Sequence, residues 1–176
     1  AGDFYVDDVV GFWIVIVGTE RGDIHAYPNA CLHRGRQLKS GSSAGLGKSR
    51  DITCPFHGWS WKLDGSIRDI PARWDFPHVC HETHDLQRVC CERWGGFVFV
   101  NIDTDAKPLL DYLDVLPEHF KHFPLDRRRI KLHVQKILPA NWKAAQEAFM
   151  EAYHNFETHD SPNGGNTQYD IFGKYV

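Results

Sequence analysis

Two short segments of the chain each place one cysteine close to one histidine at a spacing suited to metal binding. The first segment is Cys31-x-His33, and the second is Cys54-x-x-His57. Thiolate and imidazole are soft or borderline ligands, which suit iron or zinc better than magnesium or calcium. The sequence therefore predicts a site of four protein ligands that is built from two loops.

The spacing of these ligands distinguishes between the two metals. Structural zinc sites usually contain at least one C-x-x-C pair, and this chain has none. A Rieske [2Fe-2S] centre needs two thiolates on one iron and two imidazoles on the other. Gly35 and Gly58 follow the histidines and suit tight turns that bring backbone N–H groups near the cluster sulfurs. We interpret the site as a [2Fe-2S] centre and keep a zinc site as the alternative.

The two segments extend into longer motifs, C-x-H-R-G at 31–35 and C-P-x-H-G-W at 54–59. This pair of motifs resembles the Rieske domain of ring-hydroxylating oxygenases. In the respiratory-complex branch of Rieske proteins each ligand loop holds a further cysteine, and the two form a disulfide. Residues 34–38 and 55–59 contain no cysteine here. The chain is therefore similar to the oxygenase and ferredoxin branch, whose clusters lie toward the low-potential end of the Rieske range.

A second group of candidate residues lies near the end of the chain. Residues 141–154 are rich in Ala, Glu and Gln, and Asn141 suits a helix N-cap, so this segment is predicted to be helical. Glu147, Glu151 and His154 are spaced i, i+4 and i+7 and would share one helix face. Such a polar face indicates a site, because a purely structural helix seldom needs one.

His159 adds a second imidazole after His154. An ideal helix would turn His159 away from His154, so the helix must end near Asn155 if both are to bind one metal. Two such histidines and a carboxylate from elsewhere make the facial triad of non-haem Fe(II) oxygenases. The alternative is a helix with surface Glu and His by chance. A di-iron carboxylate site does not fit, because it needs a second E-x-x-H motif and two more glutamates on other helices.

The run N-W-K at 141–143, followed by E-x-Y-H-x4-H at 151–159, resembles the start of the catalytic domain in the same oxygenase α subunits. The resemblance implies that His154 and His159 are ligands of a mononuclear iron. It also implies that Glu151 is the acidic bridge between an iron-binding histidine and a Rieske histidine of the neighbouring subunit. Residues 141–143, and Glu147 as well, would then be structural.

The third iron ligand, a carboxylate, lies far downstream of the two histidines in the family. Asp160 lies too close to them in sequence, and Asp170 lies in a strand-like tail over 167–176. Neither residue fits that role. We therefore expect the chain to be a fragment of a longer α subunit, which does not turn over substrate by itself.

The elements that position the first site are predicted to be short antiparallel strands. Residues 12–17 and 24–27 are rich in β-branched and aromatic side chains and flank a turn, which indicates a hairpin leading into the first ligand loop. Asp64-Gly65 predicts a second hairpin, and Gly95-Gly96 a third. The longest apolar run, 9–17, is predicted to be one buried strand. Residues up to about 102 thus form an all-β domain.

Side chains inside these hairpins are expected to support the site by packing. Trp59 and Trp61 are predicted to lie beneath the cluster as apolar support, and a stacking role for either is the alternative. Cys90 and Cys91 lie on opposite faces of one strand, so at least one of them is predicted to be a small core residue.

The pattern changes to helical after residue 107. Pro108 suits the first position of a helix whose leucines continue at helical spacing until Pro117, and a second short helix is predicted over 117–123. Ile130, Leu132 and Val134 alternate with polar residues and predict a half-buried strand. The predicted organisation is an antiparallel β Rieske domain over 1–107, followed by the helical and α+β beginning of a helix-grip-like catalytic domain over 108–176.

Composition excludes several other classes of protein. The chain has 176 residues, a net charge of -3 and a pI near 6.4, so it offers no basic surface for nucleic acid. Its longest apolar run is too short to cross a membrane, and its start shows no signal-peptide pattern. Two of the five cysteines are predicted ligands, and the odd remainder indicates reduced thiols and a cytoplasmic location.

The resemblance implies an oxidoreductase, the α subunit of an aromatic-ring-hydroxylating dioxygenase or monooxygenase. Electrons from NAD(P)H would pass through a reductase, with or without a ferredoxin, to the Rieske cluster and then to an Fe(II) that activates O2. The resemblance also implies a head-to-tail homotrimer, with or without β subunits, and a small aromatic substrate. The alternatives are a Rieske ferredoxin-type electron carrier without its own oxygenase site and a Rieske monooxygenase of a non-aromatic substrate.

Overall fold

The fold is mainly antiparallel β with a few short helices, which confirms the predicted class. In the computed structural model the described residues are 1–9, 11–40, 46–134, 136–151 and 154. The chain forms two compact units, Ala1–Arg127 and Arg128–Val176. The sequence placed the domain boundary earlier, at residue 107, and that functional division stays a prediction.

Nine strands of the described part lie in the first unit, and all pair antiparallel. They are β1 Asp3–Val9, β2 Phe12–Gly18, β3 Ile24–Pro28, β4 Leu46–Lys48, β5 Ile52–Thr53, β6 Ser60–Trp61, β7 Ile67–Asp69, β8 Cys90–Trp94 and β9 Phe97–Asn101. The sheet orders are β3-β2-β1-β4, β5-β6-β7 and β8-β9. The predicted hairpins β2-β3, β6-β7 and β8-β9 are all present.

The prediction of one buried strand across the run 9–17 was wrong. β1 ends at Val9 and β2 begins at Phe12, and Gly11 lies between them with φ +88°. The backbone N–H of Gly11 donates to Asp8 Oδ1 at 2.6 Å. The apolar run therefore folds back on itself as a hairpin, because a glycine tolerates this left-handed conformation at little cost.

The turn at Asp64-Gly65 joins the first two sheets of the first unit. Gly65 has φ +90°, and a Cβ placed there would lie 2.7 Å from a ring carbon of Tyr27. The Tyr27 hydroxyl, at the end of the first sheet, donates to the Leu63 carbonyl at 3.1 Å. Burial is the main cause that raises the pKa of Tyr27 to about 12. The close approach of this buried ring explains why a glycine occupies the turn.

The core of the first unit contains both cysteines of the predicted site. Its other members are mainly aliphatic and aromatic side chains from the two larger sheets and the loops beside them. The buried cluster consists of Val6, Val15, Val17, Tyr27, Cys31, Leu38, Ile52, Cys54, Trp59, Trp61, Ile67, Ile70, Val79 and Leu86. Packing therefore fixes the two loops that carry the cysteines.

The helices are short. They are α1 His81–His84, α2 Leu109–Leu113, α3 Leu116–His119 and α4 Trp142–Glu147. The helix predicted from Pro108 to Pro117 is broken at Asp114, which has φ +54°, and Pro117 lies at the start of α3 instead. No helix in the described residues is both long enough and apolar enough to cross a membrane.

The described part of the second unit differs from its prediction. The half-buried strand predicted at 130–134 is wrong, since those residues form no strand and the side chain of Val134 is 74% exposed. A strand needs a neighbour for its backbone hydrogen bonds, and the described residues of this unit include no other strand. Asn141 caps α4 as predicted, by accepting a hydrogen bond from the Lys143 N–H at 2.9 Å. The helix ends at Glu147, well before His154.

Candidate metal centre

The first ligand loop is a tight turn that follows β3. The N–H of Gly35 donates to the Cys31 carbonyl at 2.7 Å, and the N–H of Cys31 donates to the Arg36 carbonyl at 2.8 Å. Gly35 has φ +71°, which favours glycine. These bonds close the turn at its base.

The second ligand loop, between β5 and β6, has the same pattern of backbone hydrogen bonds. The N–H of Gly58 donates to the Cys54 carbonyl at 3.1 Å, and the N–H of Cys54 donates to the Trp59 carbonyl at 2.8 Å. Gly58 has φ +78°. Both predicted cysteines therefore begin the same kind of turn, with a glycine four residues later.

The two cysteines are buried and form a pair. Cys31 is 4% exposed and Cys54 is 2% exposed, and both are free thiols. Burial raises the pKa of Cys31, and the backbone N–H groups of His33 and Arg34 oppose that shift by hydrogen bonding to its sulfur. The neighbouring Cys54 thiol raises the pKa further. The backbone donors at Cys31 are those that the sequence predicted from the glycine turn.

The two histidines form a second pair. The ring centroids of His33 and His57 lie 4.8 Å apart. The Nδ1 atom of His33 is buried, and no described residue offers it a hydrogen bond. Desolvation is the main cause that lowers the pKa of His33, and the nearby His57 adds to it. A neutral imidazole with a buried nitrogen that has no hydrogen bond is a suitable metal ligand. Without a ligand, such a buried nitrogen lowers the stability of the folded protein.

Aromatic rings enclose the histidine pair on one side. Trp59 stacks on His33 with a centroid distance of 5.0 Å and an interplanar angle of 3°. Trp59 is buried at the site as predicted, and it also has the stacking role that was the alternative. Phe76 lies edge-on to both rings, and His84 lies 6.0 Å from Trp59. The sequence reasoning missed Phe76 and His84, because only the tertiary fold brings them to the site.

The second predicted group is only partly described. Glu151 and His154 contact each other: the His154 N–H donates to Glu151 Oε2 at 3.0 Å, and His154 Nδ1 contacts Glu151 Oε1. Because α4 has ended by then, Glu147, Glu151 and His154 do not share one helix face, and that prediction was wrong. His159 lies outside the described residues, as do Asp160 and Asp170.

The described contacts join the two cysteines as one pair and the two histidines as another. Among the residues that the structure describes, no three of His, Cys, Asp and Glu lie close enough together to hold a single metal ion. A Rieske cluster needs two sulfurs at one iron and two nitrogens at the other, which matches a buried thiol pair and a separate imidazole pair.

Comparison with known proteins gives the same interpretation. A family profile described as the Rieske [2Fe-2S] domain matches residues 1–80. The chain is 33% identical over 155 residues to the carnitine monooxygenase oxygenase subunit of Acinetobacter pittii. That match covers 86% of this chain and 41% of the relative. The chain is also 30% identical to the biphenyl 2,3-dioxygenase subunit alpha of Rhodococcus jostii, over 88% of this chain and 34% of that one.

A solved structure has the same fold. It is a quaternary ammonium Rieske monooxygenase bound to its substrate L-carnitine, with a TM-score of 0.80 and 31% sequence identity. The match covers 88% of this chain and 44% of that chain. The chain therefore spans less than half the length of the relatives to which it is similar.

Proposed function

We propose a function for this chain from one premise, that it carries a Rieske [2Fe-2S] domain and is homologous to the large subunits of Rieske oxygenases. It is the Rieske-bearing part of an oxidoreductase that uses O2 to hydroxylate a small organic substrate. The observation that carries this proposal is the buried pair of cysteines beside a pair of histidines, one of which has an unpaired buried nitrogen.

In this proposal Cys31 and Cys54 hold one iron of the cluster, and His33 and His57 hold the other. When bound, the cluster supplies a one-electron carrier, and a mononuclear Fe(II) in the same enzyme supplies O2 activation. The buried cysteines exclude water from the sulfur side. The stack on Trp59 fixes the ring plane of His33, and His57, which is exposed, lies at the surface where an electron donor can approach.

The second site is proposed to lie in the catalytic domain that begins in residues 108–176. His154 and His159 would hold the mononuclear iron together with a carboxylate from elsewhere. The contact between Glu151 and His154 Nδ1 is of the kind by which a carboxylate orients a metal-binding histidine. Glu151 then orients an iron ligand and, as the resemblance implies, bridges it to a Rieske histidine of a neighbouring subunit.

We propose a quaternary ammonium compound as the substrate class and monooxygenation as the reaction, because several similar proteins are carnitine or glycine betaine monooxygenases. An aromatic ring is the second candidate, since biphenyl and naphthalene dioxygenase large subunits are also similar.

Proposed partners are an NAD(P)H-dependent reductase, with or without a ferredoxin, and further copies of the subunit in a homotrimer. All five cysteines are free thiols, which supports a reducing compartment such as the cytoplasm.

The ligand assignment is tested by purifying the 176-residue chain without oxygen and recording its absorption and low-temperature EPR spectra after dithionite reduction. We expect a brown protein with a rhombic signal. The variant His57→Ala should lose the cluster. The matched control His122→Ala, which changes another exposed histidine of the same unit, should keep it. A colourless, EPR-silent protein that contains zinc would contradict the assignment.

The oxygenase assignment is tested in the full-length enzyme with its reductase. Glu151→Gln should slow electron transfer between the two metal sites while both metals stay bound, because it removes the acidic group of the proposed bridge. Glu147→Gln is the matched control and should transfer electrons at the wild-type rate. Stopped-flow absorption of the cluster measures the transfer, and unchanged transfer in Glu151→Gln would count against the bridge.

The substrate class is tested in the same full-length enzyme. We expect NADH consumption and stoichiometric product with carnitine or glycine betaine, and none with biphenyl or naphthalene. The opposite result would select the aromatic candidate, and uncoupled NADH consumption with all four compounds would contradict both.

A further inference from the structure

Asn29 is a buried polar residue that lies two positions before the predicted ligand Cys31. It is 2% exposed and stands out in the described part of the chain, whose other buried core residues are hydrophobic. Its side chain makes three hydrogen bonds: Oδ1 accepts from the N–H groups of Leu38 at 3.0 Å and Lys39 at 2.9 Å, and Nδ2 donates to the Lys39 carbonyl at 2.8 Å. One amide thus holds together the two ends of the first ligand loop, since Asn29 lies just before Cys31 and Lys39 lies after the loop.

The side chain of Lys39 continues from that point toward the second ligand loop. Its ammonium donates to Ser49 Oγ at 2.9 Å and to the Asp51 carbonyl at 3.1 Å. It also lies 5.3 Å from the centroid of the Phe4 ring. Asp51 precedes β5, the strand that leads directly into Cys54. Desolvation lowers the pKa of Lys39, as expected of a half-buried ammonium.

We propose that Asn29 and Lys39 form a clasp that fixes the position of the two ligand loops relative to each other, and that both are positioning residues for the cluster. The inference rests on the proposed ligand assignment and extends it to residues that no ligand motif contains. The clasp joins the chain before Cys31 to the chain before Cys54 through side-chain hydrogen bonds. A ligand pair that comes from two loops stays at a constant distance only if the loops themselves are tied together.

The clasp also holds the Lys39 ammonium against the backbone of Asp51, three residues before Cys54. A [2Fe-2S] cluster held by two thiolates and two neutral imidazoles has no net charge when oxidised, and its one-electron reduction makes it negative. A nearby ammonium stabilises the reduced state more than the oxidised state, and net charge is one of the factors that set the potential of such clusters. Loss of the Lys39 charge should therefore lower the reduction potential, whereas loss of the Asn29 amide should mainly loosen the loop.

The first test compares Lys39→Met with Lys39→Arg in the anaerobically purified chain. Met keeps most of the aliphatic stem but loses the ammonium, whereas Arg keeps the charge and the hydrogen-bond donors. We expect Lys39→Met to show a lower reduction potential in a mediated redox titration and shifted EPR line positions at equal cluster content. Lys39→Arg should restore both toward the wild type. Lys107→Met, which changes an exposed lysine of the same unit, is the matched control and should match the wild type.

The second test is Asn29→Asp, which keeps the shape and the Oδ1 acceptor but replaces the Nδ2 donor with a negatively charged carboxylate oxygen. We expect the rate of cluster release to a chelator to rise about 10-fold to 100-fold, as for other residues that support metal ligands. Asn101→Asp is the matched control, because that exposed side chain also accepts a backbone N–H, from Asp103 at 3.0 Å. Its release rate should equal that of the wild type.

The outcomes separate this inference from the ligand assignment. If the wild-type chain binds no [2Fe-2S] cluster, the proposed function fails. If the wild type holds the cluster, and Lys39→Met and Asn29→Asp match it in potential, EPR line positions and release rate, the clasp is wrong. Should Lys39→Met fail to fold, the release rate of Asn29→Asp decides alone, since that variant leaves Lys39 in place.

Discussion

The two ligand loops share one backbone frame but place their histidines in different surroundings. In both, a glycine four residues after the cysteine donates back to the cysteine carbonyl. The histidine follows two residues after Cys31 but three residues after Cys54. His33 is therefore turned inward onto Trp59, whereas His57 is exposed beside Phe56, with ring centroids 3.9 Å apart. The two turns have the same hydrogen bonds, and the histidine positions differ by one residue. This difference accounts for the stacking of His33 on Trp59 and the exposure of His57.

The largest loss of stability is expected from Trp59→Ala, which removes the ring that stacks on His33. Trp59 is 3% exposed, and deleting a buried tryptophan ring typically costs about 3–5 kcal/mol of unfolding free energy. Urea unfolding of the cluster-free chain measures the loss. Trp74→Ala is the control, because Trp74 is 82% exposed and surface changes usually stay within about 0.5 kcal/mol. Equal losses in the two variants would contradict the buried position of Trp59.

A smaller effect distinguishes the two glycines of the shared frame. Both have positive φ, so alanine at either position costs about 1–2 kcal/mol in backbone strain. A Cβ at Gly58 would also lie 3.3 Å from Pro71 Cγ, whereas one at Gly35 would meet nothing within 4 Å. Gly58→Ala should therefore destabilise the chain more than Gly35→Ala in urea unfolding. The reverse order would show that the two turns are not packed as described.

The smallest effect is expected from acid. It acts on the stability of the folded chain through Asp64, in the hairpin that follows the second ligand loop. Hydrogen bonds from the Ser66 side chain and backbone lower the pKa of Asp64, in the turn between β6 and β7. A carboxyl whose pKa is lowered in the folded state adds stability above its unfolded pKa, and that stability is lost as pH falls through the folded pKa. Stability measured from pH 6 downward should decrease less in Asp64→Asn than in the wild type. Parallel curves for the two proteins would contradict this assignment.

The sequence predicted the chemistry of the first site better than its surroundings. The ligand pairs and the hairpins depend on spacing and turn residues within a few positions, which are visible in the chain itself. The stack of Trp59 on His33 and the clasp of Asn29 on Lys39 depend on contacts between separate segments, so local patterns do not contain them. Asn29 stands two residues before Cys31, and that proximity to a ligand was the available signal.

The later part of the chain was predicted less well, for a different physical reason. Ile130 and Leu132 alternate with polar residues in the pattern of a strand face, yet both residues are exposed, at 88% and 78%. An apolar face becomes a strand only when another element covers it. Likewise the helix propensity of residues 141–154 was not enough to extend α4 beyond Glu147, because tertiary packing supplies most helical stability.

The hydrogen bond from Tyr27 to the Leu63 carbonyl has a consequence for biosynthesis. It joins residues 36 positions apart, and the first ligand loop lies within that interval. A nascent chain that has exposed only the first loop offers one thiol and one imidazole and lacks the turn against which Tyr27 packs. Cys54 and His57 are synthesised just before the second hairpin, and Tyr27 can pack against its turn only after that hairpin has left the ribosome. Delivery of iron and sulfide should therefore follow synthesis of this hairpin, and contacts between such distant segments make that closure a slow step of folding.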